Sequence, residues 1–132
     1  MTAPDPADFV LQSHAGSRLD AKTLARFSVV VPHDELREKR LSNLGIASQV
    51  IVALDRDVPV GLVYVRTIAG IPNVTWLVAE SARRRGLAVR MLSRLQQDWR
   101  YLTAICRNEP SVAVARRAGF IMAGPFALWI RK

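Results

Sequence analysis

Hydrophobic residues along this chain change their period several times, and each change predicts an element. The clearest strand signal is the apolar run 49–54, which meets Asp55-Arg56-Asp57 and resumes over 58–68. Two such runs across a short polar turn predict an antiparallel hairpin. Gly61 interrupts the second run and marks a bulge or a close backbone contact. Gly70-Ile71-Pro72-Asn73 turns the chain again, and 74–79 reads as a strand covered on both faces. The period then becomes helical. From about 86 to 99, Ala88, Met91, Leu92, Leu95 and Trp99 share one stripe, with Arg90, Arg94 and Gln97 away from it. Residues 102–106 return to a strand. Asn108 caps a short helix with Glu109 and Pro110 in its first turn, Arg116 and Arg117 in its last and Gly119 just beyond. Residues 120–122 and 126–130 are terminal strands.

The N-terminal third is less regular. Residues 1–7, with Pro4 and Pro6, read as a loose tail, and 9–11 as a short first strand. Residues 19–27 form a weak helical segment with Leu19, Leu24 and Phe27 on its apolar side. Val29-Val30-Val31 is β-branched and stops at Pro32, after which Asp34 is positioned to cap a helix that Gly45 ends. The whole order predicts a single α/β (α+β) domain over 1–132. Its centre is a mixed, mostly antiparallel sheet of six to seven strands, with helices on both faces.

Composition narrows the function classes. At 132 residues with half of them hydrophobic, the chain can bury a core without staples. No apolar run approaches the roughly 18 residues of a membrane span, and the first residues lack a secretory pattern. Cys106 has no partner for a disulfide, and its setting in Ala104-Ile105-Cys106-Arg107 reads as a buried strand. These features suggest a cytoplasmic protein. Net charge is +8, and nine arginines between 83 and 117 face only Asp98 and Glu109, so +7 of it lies in that stretch. An anionic partner accounts for such asymmetry, whether a phosphorylated cofactor, nucleic acid or an acidic protein; a solvated arginine-rich surface is the plain alternative.

Residues 75–95 carry the chemistry. A buried strand hands over through a short polar loop to an amphipathic helix, so free amides and the positive end of the helix dipole converge on one spot. Gly86 permits unusual φ and close backbone approach, and Ala88 leaves the first turn uncrowded. Arg83, Arg84 and Arg85 stand where they oppose the helix dipole. A bound polyanion reverses the sign of that interaction.

Arg83-Arg84-Arg85-Gly86-Leu87-Ala88 resembles the GNAT superfamily signature [RQ]-x-x-G-x-[GA]. Residues 108–120, NEPSVAVARRAGF, resemble that family's second pattern, N-x-x-[AS]-x-x-[LV]-[Y]-x-[KR]-x-G-F. Residues 49–65 also look like the family's central hairpin. The resemblance implies an acetyl-CoA-dependent N-acetyltransferase whose fourth and fifth strands splay around the pantetheine arm. Backbone groups near Leu77 and Val78 would then hold the arm and the acetyl carbonyl. The amides of Arg84, Arg85, Gly86, Leu87, Ala88 and Val89, with Arg83 beside them, would take the pyrophosphate. Asn108 would touch the pantetheine, cap its helix, or do both.

The resemblance further implies direct attack by an amine acceptor, without an acyl-enzyme and without a metal. Glu80, at the mouth of the cradle, is the candidate base or else a partner for the arginines. The family's usual tyrosine falls on Ala115, and Ser111, one helical turn earlier, is the nearest hydroxyl. His14 and His33 read as surface residues. Tyr64 and Trp76 read as core aromatics or as lining of the acceptor pocket. Other function classes are a catalytically weak acetyl-CoA-binding regulator, which Ala115 favours, and a nucleic-acid binder, which the lack of aromatics among the arginines disfavours. A homodimer remains compatible with the terminal strands.

Overall fold

The computed structural model describes residues 9–15 and 19–132; the expected tail at 1–7 lies outside them. Seven strands form one sheet: β1 (Val10–Ala15), β2 (Gln49–Asp55), β3 (Val58–Ile68), β4 (Ile71–Val78), β5 (Tyr101–Ile105), β6 (Ile121–Ala123) and β7 (Phe126–Ile130). Their spatial order is β1-β2-β3-β4-β5-β7-β6, and every neighbouring pair is antiparallel except β4 and β5. Among the described residues four α-helices complete the fold: α1 (Ala21–Phe27), α2 (Arg37–Gly45), α3 (Leu87–Gln96) and α4 (Glu109–Arg117).

Strand alternation explains the layering. Ile51, Ala53, Val63, Val65 and Val74 project to one face, where Leu87, Met91, Leu92 and Leu95 of α3, Ala115 of α4 and its C-cap Ala118 close over them. Val50, Val52, Leu62, Tyr64 and Leu77 project to the other, under Phe27 of α1 and Leu44 of α2. A sheet with apolar residues on both faces must be covered on both, which the period change from strand to helix supplies. Beyond β4 the second face carries Tyr101, Ile105, Phe126, Leu128 and Ile130, all exposed.

Several expectations are refined. Arg56 and Asp57 both adopt positive φ, the two-residue turn that matches strand twist in the β2–β3 hairpin. Gly61 serves both suggested purposes. The β2–β3 register shifts opposite it, and an added Cβ would meet Met91 Cε at 2.9 Å and Leu87 Cδ2 at 3.2 Å, so α3 sits close on this strand. The first strand is longer than expected, running to Ala15 along β2. Ser28–Val30 is a single 3-10 turn despite its β-branched residues, because Val30 and Val31 turn inward beside Phe27. Asp34 does not cap α2. Its Oδ1 accepts from the Leu36 N–H two residues on, a local turn that precedes the helix, and Arg40 closes the turn at 3.0 Å.

α3 ends at Gln96, so Trp99 lies beyond the predicted stripe. Its indole Nε1 donates to Gln49 Oε1 at 2.7 Å, while Gln49 Nε2 donates to Asp98 at 2.8 Å and to Ser13 at 2.9 Å. These bonds draw 98–99 off the helix axis and onto the sheet. Cys106 lies just past β5, buried as expected.

A candidate acyl-carrier cleft between diverging strands

β4 and β5 pair at one Cα position, Asn73 with Thr103. Thr103 Oγ1 donates to the Pro72 carbonyl at 2.8 Å, and Asn73 Nδ2 reaches Thr103 Oγ1 at 3.4 Å, so side chains fasten the strands where they begin. Beyond that point the ladder stops. The Ala79 N–H donates to the Val60 carbonyl at 2.8 Å, and antiparallel bonding alternates from there, so Leu77 and Thr75 spend their peptide groups on β3. Those of Trp76 and Val78 face the gap. The peptide groups that face the gap are thus those of 76 and 78, while Leu77 lines the cleft. The Val78 carbonyl accepts from Arg83 Nε at 3.0 Å, which fixes the strand exit.

The handover to α3 is a short 3-10 turn, Glu80–Ala82, followed by a loop that turns through positive φ at Arg84 (64°) and Gly86 (73°). Gly86 is the N-cap and has no side chain to satisfy the first-turn amides of Leu87, Ala88 and Val89. A Cβ on Gly86 would meet nothing within 4 Å. Protein packing therefore does not demand glycine here; its positive φ favours one. No acidic residue occupies the first turn. A loop with left-handed residues running into a helix N-terminus is the kind of backbone that can take an anion.

A cleft of about 380 Å³ opens between the diverging strands. Asn73, Thr75, Trp76 and Leu77 line it from β4, Ile105, Arg107, Asn108 and Ser111 from β5 and α4, and Lys39, Arg40 and Asn43 from α2. Asn108 is the N-cap of α4, its Oδ1 accepting from the Ser111 N–H at 2.9 Å. Tyr64 lines the cleft floor as well as the core; burial pushes its phenol upward, with the Thr75 hydroxyl acting the other way, so it stays neutral. Trp76 packs against Phe120 with ring centroids 6.4 Å apart. A larger depression, about 540 Å³ beside Arg100, Tyr101 and Ile130, lies at the closed end of the strands.

Of the expected site residues, Leu77, Asn108 and Ser111 line the cleft, while residues 83–89 lie outside its lining and lead into the N-terminus of α3. Glu80 does neither. It is exposed on the 3-10 turn, and no ion pair to it occurs among the described residues. Ala115 is fully buried in the core and supplies no hydroxyl. His14 is not a plain surface residue. Its Nε2 is buried without a hydrogen-bond partner among the described residues, and its ring, on β1, stands 5.3 Å from Phe27, with β2 between β1 and the strands that line the cleft. Sequence reasoning missed Lys39, Arg40, Asn43, Asn73 and Arg107, which come from segments without motifs. Among the described residues, no group of three or more His, Cys, Asp or Glu could hold a metal, and no helix is long and apolar enough to cross a membrane.

Comparison with solved structures places this architecture in a known class: the fold is that of GNAT superfamily acetyltransferases. A phosphinothricin acetyltransferase of that superfamily from Sinorhizobium meliloti, solved with acetyl-CoA, is 17% identical with a TM-score of 0.68, over 93% of this chain and 88% of that one. A ribosomal-protein-alanine N-acetyltransferase from Brucella melitensis is 19% identical with a TM-score of 0.63, over 92% and 99%. An aminoglycoside acetyltransferase solved with coenzyme A is 11% identical with a TM-score of 0.68, over 92% and 95%. No family model and no curated protein matches the sequence.

Proposed function

We propose that this protein is an N-acetyltransferase that moves the acetyl group of acetyl-CoA to a primary amine by direct attack. The observation that carries the reading is the single-position pairing of β4 with β5 beside an open helix N-terminus. Together they offer an extended slot for a pantetheine arm and an amide cradle for a pyrophosphate. A Cβ built on Gly86 would meet no other described residue within 4 Å, which leaves room there for that group.

Acetyl-CoA supplies an acetyl thioester: the acceptor nitrogen bonds to the acetyl carbon, the C–S bond breaks with its electron pair on sulfur, and the amine loses one proton. The protein's part is positioning and polarisation. The N–H groups of Trp76 and Val78 face the gap and would hold the arm and the carbonyl oxygen. Leu87, Ala88 and Val89 would give first-turn amides to the pyrophosphate, with Arg83, Arg84, Arg85 and Gly86 completing the cradle. Asn108 has its Oδ1 committed to the cap, which leaves Nδ2 as a donor toward the arm. Ser111 would return a proton to the departing thiolate, and Glu80 would accept the amine proton through water.

Free-thiol release over an amine panel, after acetyl-CoA binding is measured, tests this reading. Ala115 favours one second reading, a regulator that binds acetyl-CoA and turns it over poorly. Saturable binding with no thiol released from any amine would select it.

A further inference from the structure

Resting on the acetyltransferase reading, we infer that the acceptor is a small amine that also carries an anionic group, a carboxylate or a phosphate. Among the described residues, the cleft is lined by three cations, Lys39, Arg40 and Arg107, and by no Asp, Glu or His. Lys39 and Arg107 come from opposite walls, α2 and the β5–α4 connection, and neither has an acidic partner among the described residues. Arg40 is held by Asp34 outside the lining, which fixes its guanidinium without placing a carboxylate inside.

The neutral groups add to the same bias. Asn43 Oδ1 accepts from Arg66 at 2.6 Å, so its amide nitrogen is the part left for the cleft. Tyr64 is a neutral phenol. A polyamine or another multiply cationic acceptor would meet like charge from both walls with no carboxylate to receive it. An anion would gain charge-assisted bonds from either wall. A volume of about 380 Å³ suits an acceptor of amino-acid size.

The same charges assist the chemistry. Cations around a bound amine disfavour its ammonium form, so the amine sheds its proton more readily than in water. This lessens the need for a strong base, consistent with Glu80 standing outside the lining.

The test uses the full chain and matched amines: α-amino acids, their methyl esters, an amino-alkyl phosphate, and a linear polyamine. The wild type should turn over a carboxylate or phosphate amine at least about tenfold more efficiently than the ester or the polyamine, the range of one charge-assisted contact. The carboxylate and phosphate arms distinguish the two anions. Lys39→Ala and Arg107→Ala should each raise the acceptor KM by about tenfold, leave the calorimetric Kd for acetyl-CoA unchanged, and lose less at high salt. Lys39→Glu with Arg107→Glu should move preference toward the polyamine.

A second readout needs no turnover. An N-acetyl amino acid, but not its methyl ester, should shift the Trp76 indole and Asn43 amide NMR signals saturably in the wild type and not in the double charge reversal. Equal use of esters or polyamines, variants that weaken acetyl-CoA rather than the acceptor, or ester-independent NMR shifts would overturn the inference. Failure of acetyl-CoA to bind would instead sink the acetyltransferase reading, and the NMR arm would still decide whether the cleft selects anions.

Discussion

Asn73 faces Thr103 at the one paired position of β4 and β5 among the described residues, and Thr103 Oγ1 donates to the carbonyl of Pro72 at 2.8 Å. The two strands are pinned where they begin and apart where they end. The slot between them is thus created by what stops the pairing as much as by what lines it.

The pin should be measurable. Thr103→Val keeps the shape but loses the donor, and is expected to lower stability by about 1 kcal/mol, read as a fall in the urea midpoint at constant m-value. It should also weaken acetyl-CoA binding, because the mouth of the slot is set from this end. An unchanged midpoint would mean the side-chain contact contributes nothing.

Arg84 and Gly86 predict a trade between stability and binding. Arg84 holds φ 64° without being glycine, a conformation that costs about 1 kcal/mol. Arg84→Gly should therefore raise the melting temperature while reducing affinity for acetyl-CoA. Gly86→Ala meets no neighbour but must adopt φ 73°, so it should cost about 1 kcal/mol in stability. Its affinity loss should exceed that figure, since the Cβ enters the space before the helix. Calorimetry beside thermal melts separates the two effects.

Gln49, 7% exposed, ties three elements together by bonding Ser13, Asp98 and Trp99. Gln49→Ala should lose about 2 kcal/mol, since it strands the indole N–H and opens a gap. The donated bond from Gln49, aided by Arg94, holds the Asp98 carboxyl below its usual range. A depressed folded pKa contributes stability that is present above the unfolded value and lost as pH falls through the folded one. The wild type should therefore lose stability below about pH 4 more steeply than Asp98→Asn, as melts across pH 5 to 2.5 would record. Parallel curves would count against the network.

Cys106 is unsuited to covalent catalysis. It is 3% exposed, and burial pushes its thiol upward, away from the thiolate. Cys106→Ala should keep kcat within about twofold, because removing an inert thiol leaves the transition state untouched. A loss of 10²-fold or more with intact folding would point to an acyl-enzyme after all.

What was legible in the sequence follows from how local each signal is. The strand–loop–helix handover and the α4 cap are written in contiguous residues, 75–89 and 108–111, whose backbone needs are met within one turn. The hairpin was equally plain, since alternation and turn residues are adjacent. The N-terminal third was harder. Val29-Val30-Val31 has strand propensity, yet Ser28–Val30 is a 3-10 turn, with Val30 and Val31 buried beside Phe27. Trp99 fits the helical stripe, but its bond to Gln49, 50 residues away, decides its place. The cationic lining was invisible for the same reason: Lys39, Arg40 and Arg107 lie on separate elements, and only the sheet order brings them to one cleft.

The central claim is tested most directly by titrating acetyl-CoA calorimetrically into the wild type and into Gly86→Glu, with melting temperatures recorded for both. We predict one saturable site per chain in the wild type, and affinity at least about tenfold weaker in a folded Gly86→Glu protein, as expected when a carboxylate meets a phosphate at a helix N-terminus. Equal affinity in the two folded proteins, or no saturable heat in the wild type, would contradict it.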